Sequence, residues 1–346
     1  MRAVVLHAPF DLRVEEREAP QLGPGQVRVG LRAGGICGSD LHYYLHGGFG
    51  AVRLREPMIL GHEVAGIVQE AAPGVTSVKP GDIVAVNPSL ACGVCRFCVK
   101  GLHNHCLDMR FYGSAMRMPH VQGAFRDSVV CEAVQAVPMP EGTSANEAAF
   151  AEPLAVCLHA VVRAGPLLGQ RVLVTGAGPI GILTVAAARA AGASEIVATD
   201  ILDGPLAVAR RMGADRTINV ASEAEAMAGY EAEKGWFDVM FEAAGSAVPL
   251  LAGLKVVRPL GTIVQIGQGA QADLPMSAIV TKEINLIGTF RFDTEFETAV
   301  SFIARRQIDV RPLLTEIVPL QEARRAFDLA ADKSRSMKVQ LALGEA

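Results

Sequence analysis

Positive charge is in short supply in this chain. Its 32 lysines and arginines are outnumbered by 36 aspartates and glutamates, for a formal net charge of −4, and no arginine/lysine stripe runs through it. The electrostatic footprint of a nucleic-acid partner is therefore missing. Long apolar runs are scarce as well: no uncharged apolar segment reaches the roughly 18 residues of a membrane span. The opening Met1-Arg2-Ala3-Val4-Val5-Leu6-His7 is too short an apolar run for a signal peptide. These absences predict a cytoplasmic protein with neither a nucleic-acid nor a membrane partner. The seven cysteines are an odd number, and four of them crowd one loop. In a reducing compartment that clustering points to metal ligation, not to disulfides.

What is present suits two domains. At 346 residues, half hydrophobic, one fifth charged and with 35 glycines, the composition is that of an α/β protein with many tight turns. From Met1 to about Ala136 short β-type runs, such as Gln26 to Leu31 and Val64 to Val68, alternate with turns such as Gly23-Pro24-Gly25 and Lys79-Pro80-Gly81-Asp82. This predicts a compact barrel-like β domain with long polar loops. One such loop holds Cys92, Cys95, Cys98 and Cys106. Four thiolates at that spacing wrap one tetrahedral ion and leave no open position, so the expected site is a structural zinc. Ligand identity alone leaves an iron–sulfur cluster as the alternative. Arg96, Lys100 and Arg110 lie near enough in sequence to offset the charge of the thiolates.

A second cluster runs from Gly34 to Glu63. Taken singly, Cys37 would read as a small buried hydrophobe and His62 as a core histidine. Ser39, Asp40, His42 and Glu63, however, crowd the same segments with polar groups. Thiolate, imidazole and carboxylate are the zinc-holding side chains, and a catalytic zinc takes about three of them and keeps one open position. Farther on, Ala145 to Ala164 is alanine-rich and helical in period, with Glu152-Pro153-Leu154 interrupting it. A carboxylate in an apolar stretch is costly without a cation. Glu152 thus reads either as a neighbour of the Cys37/His62 metal or as a helix-end carboxylate favoured by the dipole.

The nucleotide signal follows. Gln170 to Thr175 is a β-type run, Gly176-Ala177-Gly178-Pro179-Ile180-Gly181 opens an alanine-rich helix, and a second β run, Glu195 to Thr199, ends at Asp200. A strand, a G-x-G-x-x-G turn, a helix and an acidic residue about 20 positions on form a dinucleotide-binding unit. The glycines let the backbone reach a pyrophosphate at the helix N-terminus. Asp200 would accept from the ribose hydroxyls and repel a 2′-phosphate, and no arginine or lysine follows before Arg210, which predicts NAD over NADP. Further β-type runs at Thr217, Phe237, Gly261 and Ile284 bring the count to about six, that of a doubly wound sheet. Gly245 and Gly267 fall at strand ends, where a cofactor lies. The tail is helical from Glu295 to Gln307 and from Leu320 to Asp332, and the β run Lys338 to Leu343 is expected to return to the first domain. The site is then expected in the cleft between lobes.

Together these motifs imply hydride transfer. Zinc lowers the pKa of an alcohol, the carbon-bound hydrogen leaves as hydride to the nicotinamide, and Ser39 with His42 relays the proton. Ser39 and Asp40 also suit the plainer task of orienting the ligands.

The combination Gly35-Ile36-Cys37-Gly38-Ser39-Asp40, Gly61-His62-Glu63, the four-cysteine lobe, Glu152-Pro153-Leu154 and Gly176 to Gly181 resembles the zinc-dependent medium-chain alcohol dehydrogenases over the whole chain. Within them it is similar to the polyol branch of sorbitol dehydrogenase. Gly34 to Tyr44, Asp108 to Met116, Pro119-His120-Val121 and Gly288 to Phe296 are similar to the branch of L-idonate 5-dehydrogenases, which interconvert L-idonate and 5-keto-D-gluconate.

The resemblance implies an α/β protein with a GroES-like, β-rich catalytic domain (1–154 and 291–346) and a doubly wound Rossmann NAD-binding domain (155–290), assembled as a homodimer or homotetramer. It implies catalytic zinc at Cys37, His62, Glu63 and Glu152, with one carboxylate or a water in the remaining place. It implies structural zinc at Cys92, Cys95, Cys98 and Cys106, a site that animal sorbitol dehydrogenases lack. Tyr43 and Arg291 match substrate-side positions, and Ile180, Asp200, Ile266, Gly267 and Thr289 match cofactor contacts. Where sorbitol dehydrogenases carry an arginine five residues after the ribose-binding aspartate, this chain has Pro205.

A sugar acid brings a carboxylate that a neutral polyol lacks, so its site needs a cation. Arg291, Arg110, Arg117 and His120 are the candidates, although Arg110 and Arg117 also suit charge balance at the zinc lobe. The alternatives are a sorbitol/L-iditol-type polyol dehydrogenase, a threonine dehydrogenase and, in another class, a non-catalytic nucleotide-binding protein.

Overall fold

A computed structural model describes residues 1–268 and 273–344. The chain divides into two compact units, one of Met1–Glu152, Phe296–Arg306 and Leu314–Ala346, the other of Pro153–Glu295 and Gln307–Leu313. Among the described residues no helix is long and apolar enough to cross a membrane.

The first unit is built on the strand Gln26–Gly35. Val27, Val29 and Leu31 alternate into the core and are wholly buried. The strand lies in a seven-stranded sheet. Along its length it pairs antiparallel with Glu63–Ala71, at its start with Ser128–Glu132, and at its end with Lys338–Ala342. The C-terminal β run therefore joins this sheet, as the sequence suggests. Leu314–Pro319 pairs parallel to it, and Ile83–Val86 and Ala136–Pro138 extend the other side. The strand ends in Gly34-Gly35 because there is no room for side chains: a Cβ on Gly34 would lie 2.8 Å from the Phe125 ring and 2.9 Å from Leu343. The chain then turns into the helix Gly38–His46, closed by Gly47 in the left-handed conformation (φ 67°).

The second unit holds six parallel strands in the spatial order Arg216–Asn219, Glu195–Asp200, Arg171–Thr175, Phe237–Glu242, Val257–Gln265, Asn285–Gly288. The first of these in sequence sits centrally and the chain winds outward in both directions. This doubly wound arrangement places its switch point between Arg171–Thr175 and Phe237–Glu242. All six residues of Phe237–Glu242 are buried, as a central strand covered on both faces requires.

One expectation needs correction. The helical stretch near residue 150 does not break at Glu152-Pro153. A short helix, Ala145–Ala148, capped by Ser144, ends first, and a new helix, Ala151–Ala164, begins. Pro153 falls in the first turn of the new helix, where its missing N–H would have no partner anyway.

Candidate functional site

The first unit brings Cys37, His62 and Glu63 together, with ligand atoms all within 4.8 Å of one another. Cys37 is the residue before the helix Gly38–His46. His62 ends the loop that enters the strand Glu63–Ala71. Asp40 ties the two segments: one carboxylate oxygen accepts the Cys37 backbone N–H at 3.0 Å and the other that of Gly61 at 3.1 Å. Asp40 thus holds the backbone that carries Cys37 and His62. The Phe111 ring lies 5.4 Å from that of His62.

Glu63 has a partner that sequence reasoning missed. The buried Lys338 ammonium donates to both its oxygens, at 2.7 and 2.9 Å, and to the carbonyl of Ile36 at 3.1 Å. Gly35, opposite Glu63 in the sheet, makes room for this, because a Cβ there would lie 2.2 Å from Oε2 of Glu63. A lone lysine in the apolar run Lys338 to Leu343 is the one signal that could have exposed it, since a buried ammonium needs an anion.

The donor set fits a metal cation. Burial pushes the Cys37 thiol up to about 12, with the Glu63 carboxylate adding to the effect. Burial likewise raises Asp40 and pushes Glu152 up to about 8. Burial disfavours the Lys338 ammonium, yet Glu63 and its acidic neighbours outweigh this and raise its pKa. One ammonium faces several acidic groups, and Nδ1 of His62 is buried without a hydrogen-bond partner. A divalent cation would relieve both conditions. Glu152 is buried beside the cluster and interacts electrostatically with Cys37, His62 and Glu63. It lies outside the group whose ligand atoms approach within 4.8 Å.

The other expected residues take these places. Ser39 is half-buried, and its backbone N–H bonds the Cys37 thiol. His42 is exposed, with its ring 6.2 Å from that of His46 and 5.8 Å from that of Phe49. No hydrogen bond joins Ser39 to His42 among the described residues. Tyr43 is buried, and its hydroxyl accepts the Ala115 N–H at 3.0 Å. Arg110 is exposed on a two-residue strand. His120 is buried with both ring nitrogens engaged: Nε2 accepts the Arg55 N–H at 2.9 Å and Nδ1 donates to the Arg117 carbonyl at 2.8 Å. These bonds fix a loop and leave no ring nitrogen for a ligand.

Cys92, Cys95, Cys98 and Cys106 also group with sulfurs within 4.8 Å of one another, and all are free thiols. Backbone N–H groups of Cys98 and Leu107 aimed at the Cys95 sulfur pull its pKa down to about 6, while burial pushes Cys98 up to about 12. The N–H groups of Cys92 and Asp108 both reach the Cys106 sulfur, at 3.2 and 3.3 Å. Such N–H donors stabilise thiolates, the form a metal requires. Arg96 lies over the Phe97 ring at 5.0 Å.

In the second unit, Gly178 precedes the helix Pro179–Ala190 and has open space where a side chain would be. The helix N-terminus is therefore accessible to a phosphate. Gly176 has φ 85°, and a Cβ on Gly181 would fall 1.7 Å from the Gly176 carbonyl, so both positions require glycine. The Asp200 carboxylate accepts from the N–H groups of Ala177, Ile201 and Leu202, at 2.6, 2.7 and 3.0 Å, pinning the glycine turn to its own strand end. Gly267 abuts Gly245, and Ile266 donates its N–H to the Glu242 carbonyl. The Thr289 hydroxyl is buried without a partner. Arg291 adopts φ 55° with its guanidinium 4.9 Å from the Phe290 ring centre.

Comparison with known proteins agrees with this geometry. The alcohol dehydrogenase GroES-like domain matches residues 23–141 and the zinc-binding dehydrogenase domain matches residues 179–305. The L-idonate 5-dehydrogenase (NAD(P)(+)) of Escherichia coli K12 is 45% identical over 314 residues, 90% of each chain. The sorbitol dehydrogenase of Gallus gallus is 34% identical over 98% of this chain and 95% of its own. The crystal structure of the Escherichia coli L-idonate 5-dehydrogenase superposes with a TM-score of 0.95 at 42% identity, covering 99% of this chain and 98% of that one.

Proposed function

We propose, for a chain that belongs to the zinc-binding alcohol dehydrogenase family, the NAD-linked oxidation of L-idonate to 5-keto-D-gluconate and its reversal. The observation that carries the chemistry is the Cys37/His62/Glu63 group, a thiol, an imidazole and a carboxylate whose donor atoms all lie within 4.8 Å of one another. The sugar acid is favoured over a neutral polyol by the greater identity to an L-idonate enzyme, 45% against 34% for a sorbitol enzyme. Bound zinc at this group supplies Lewis acidity toward the substrate hydroxyl, and bound nicotinamide accepts the hydride.

The chain's own residues do the rest. Cys37, His62 and Glu63 hold the metal, and Glu152, raised to about 8 by burial, stands beside it as an exchangeable carboxyl. Asp40 fixes the two ligand-bearing segments, and Lys338 fixes Glu63. The Ser39 hydroxyl accepts the proton of the substrate alcohol as it gives up its own toward His42, which, at the surface of the same helix, releases it to water. Cys92, Cys95, Cys98 and Cys106 hold a structural zinc.

The nucleotide sits on Gly176, Gly178, Pro179, Ile180 and Gly181, with Ile266, Gly267 and Thr289 against its nicotinamide half. The carboxylate of Asp200 favours the unphosphorylated ribose, so NAD is preferred to NADP. Tyr43 and Arg291 border the substrate. The working form is a cytoplasmic homodimer or homotetramer. The two lobes of the activity divide as 1–154 with 291–346 for the metal and 155–290 for the nucleotide.

The test is the initial rate on L-idonate and on sorbitol at equal concentrations, with NAD and with NADP, on zinc-loaded protein. A higher rate on L-idonate with NAD is expected. Preference for sorbitol would move the chain to the polyol dehydrogenases.

A further inference from the structure

Of the cationic residues singled out from sequence, His120 is engaged on both ring nitrogens and Arg117 is paired with Asp108, so neither offers the substrate carboxylate a seat. A pocket of about 270 Å³ in the first unit supplies one. Its walls are the segments 51–55 and 115–120, and three arginines, Arg53, Arg55 and Arg117, face it. Arg117 is partnered: it reaches the Asp108 carboxylate at 2.6 Å. Among the described residues the guanidinium of Arg53 donates only to the neighbouring carbonyl of Val52, at 3.2 Å. That of Arg55, exposed at the rim of the pocket, has no acceptor among the described residues. Glu56 does not pair with either, because its carboxylate accepts the His120 N–H at 2.6 Å.

The walls are held before any ligand arrives. Buried His120 bonds the Arg55 N–H with one ring nitrogen and the Arg117 carbonyl with the other, so it staples one wall to the other. Two cations lacking carboxylate partners in a preformed concavity are matched to an anion, and a guanidinium suits a carboxylate through paired N–H donors. Val52 and Met116 line the remaining surface, giving apolar contact for the C–H face of a sugar chain. The volume falls below the roughly 300–1,000 Å³ of pockets for drug-sized ligands, which suits one end of a six-carbon acid and not a nucleotide. The same loop begins at Phe111, against His62, and continues through Ala115, which is hydrogen-bonded to Tyr43.

We propose that this pocket seats the carboxylate of the sugar acid, with Arg55 and Arg53 as its cations. The inference rests on the sugar-acid reading above and names where that reading places the charge. Because Arg55 contacts His120 through its backbone, Arg55→Ala removes the cation and leaves the staple in place.

Two measurements on zinc-loaded protein test it. In the first, D-gluconate and sorbitol are titrated calorimetrically into wild type, Arg55→Ala and Arg55→Lys without cofactor. Gluconate is expected to bind about 10- to 100-fold more weakly to Arg55→Ala, as loss of a charged hydrogen-bond pair predicts. Arg55→Lys should recover part of the loss, and sorbitol should not discriminate among the three. In the second, KM for L-idonate should rise by a similar factor in Arg55→Ala with kcat little changed, a loss at least tenfold larger than that for sorbitol. Equal gluconate affinity in wild type and Arg55→Ala overturns the pocket whatever the rates show. Equal losses on L-idonate and sorbitol also overturn it. Arg55-dependent gluconate binding in a wild type that does not oxidise L-idonate overturns the substrate reading while the anion site stands.

Discussion

At the scale of residues, the metal group depends on a charge balance struck across the sheet. Glu63 and Lys338 are both almost wholly inaccessible, with side-chain exposures of 1% and 3%. Removing one partner of such a pair strands the other in a medium that cannot solvate it. Lys338→Met is therefore expected to cost about 3–5 kcal/mol, read as a lower urea midpoint. The double variant Lys338→Met/Glu63→Leu should recover much of that stability while losing activity. Gly35 is the second sensitive position. Any Cβ there meets the Glu63 carboxylate at 2.2 Å, so Gly35→Ala should drive Glu63 from its seat. The expected readout is metal content falling from about two zinc ions per chain to about one, with the cysteine lobe still loaded. Equal loss from both sites would refute the separate seating of Glu63.

Among elements, the cysteine lobe contrasts with everything around it. From Cys92 to Cys106 it has only two three-residue helical turns, at Cys98–Lys100 and His103–His105. Val94, Val99, Leu102 and the adjoining Leu107 are exposed rather than packed. A segment that buries so little apolar surface is held by its thiolates, and its order should track its ion. Cys98→Ser is expected to release one zinc per chain and to open the segment near residues 92–107 to proteolysis, mapped by mass spectrometry of limited digests. Resistance equal to wild type would show the lobe to be self-supporting.

The grouping of the lobe's four sulfurs was legible in the sequence because it is written in local spacing, as is the glycine turn before Pro179. Lys338 was not legible, because it meets Glu63 across 275 residues and no local pattern records that pairing. The helix start at Ala151 was misread because proline looks like a breaker unless its place in the first turn is known. The engaged state of His120 was equally invisible, since it depends on which backbone groups the folded loop presents.

Over the whole molecule, each unit carries an acidic group held by cations, Glu63 in the first and Asp238 in the second. The second unit has a partly buried ionic knot at Asp238, which accepts from the Arg171 backbone and side chain and from Arg258. Burial works against its charge, but these bonds outweigh it and hold its pKa at about 2 against an ordinary 3.8. A carboxylate depressed in this way stabilises the fold above its unfolded pKa, and the contribution fades as pH falls from about 4 toward 2. Asp238→Asn should thus lower Tm near pH 7, and the gap from wild type should narrow below pH 4. A gap independent of pH would assign the effect to packing.

The alternation of strands and helices in this unit was readable throughout, since each βα step is encoded in consecutive residues. The sheet of the first unit was readable only in part, because its strands come from both ends of the chain.

That arrangement has a consequence for biosynthesis. The strand Lys338–Ala342, which completes the sheet beside Gly34 and Gly35 and carries the counter-ion of Glu63, leaves the ribosome after nearly all of the second unit. The second unit, continuous from Pro153 to Glu295 apart from one later segment, has almost all its residues available well before then, and domains generally fold as units during synthesis. The second unit can mature on the nascent chain, whereas the Cys37/His62/Glu63 group is finished only once residues 338–342 have emerged. A ribosome stalled near residue 330 should therefore display a cofactor-competent protein in which Glu63 still lacks its ammonium.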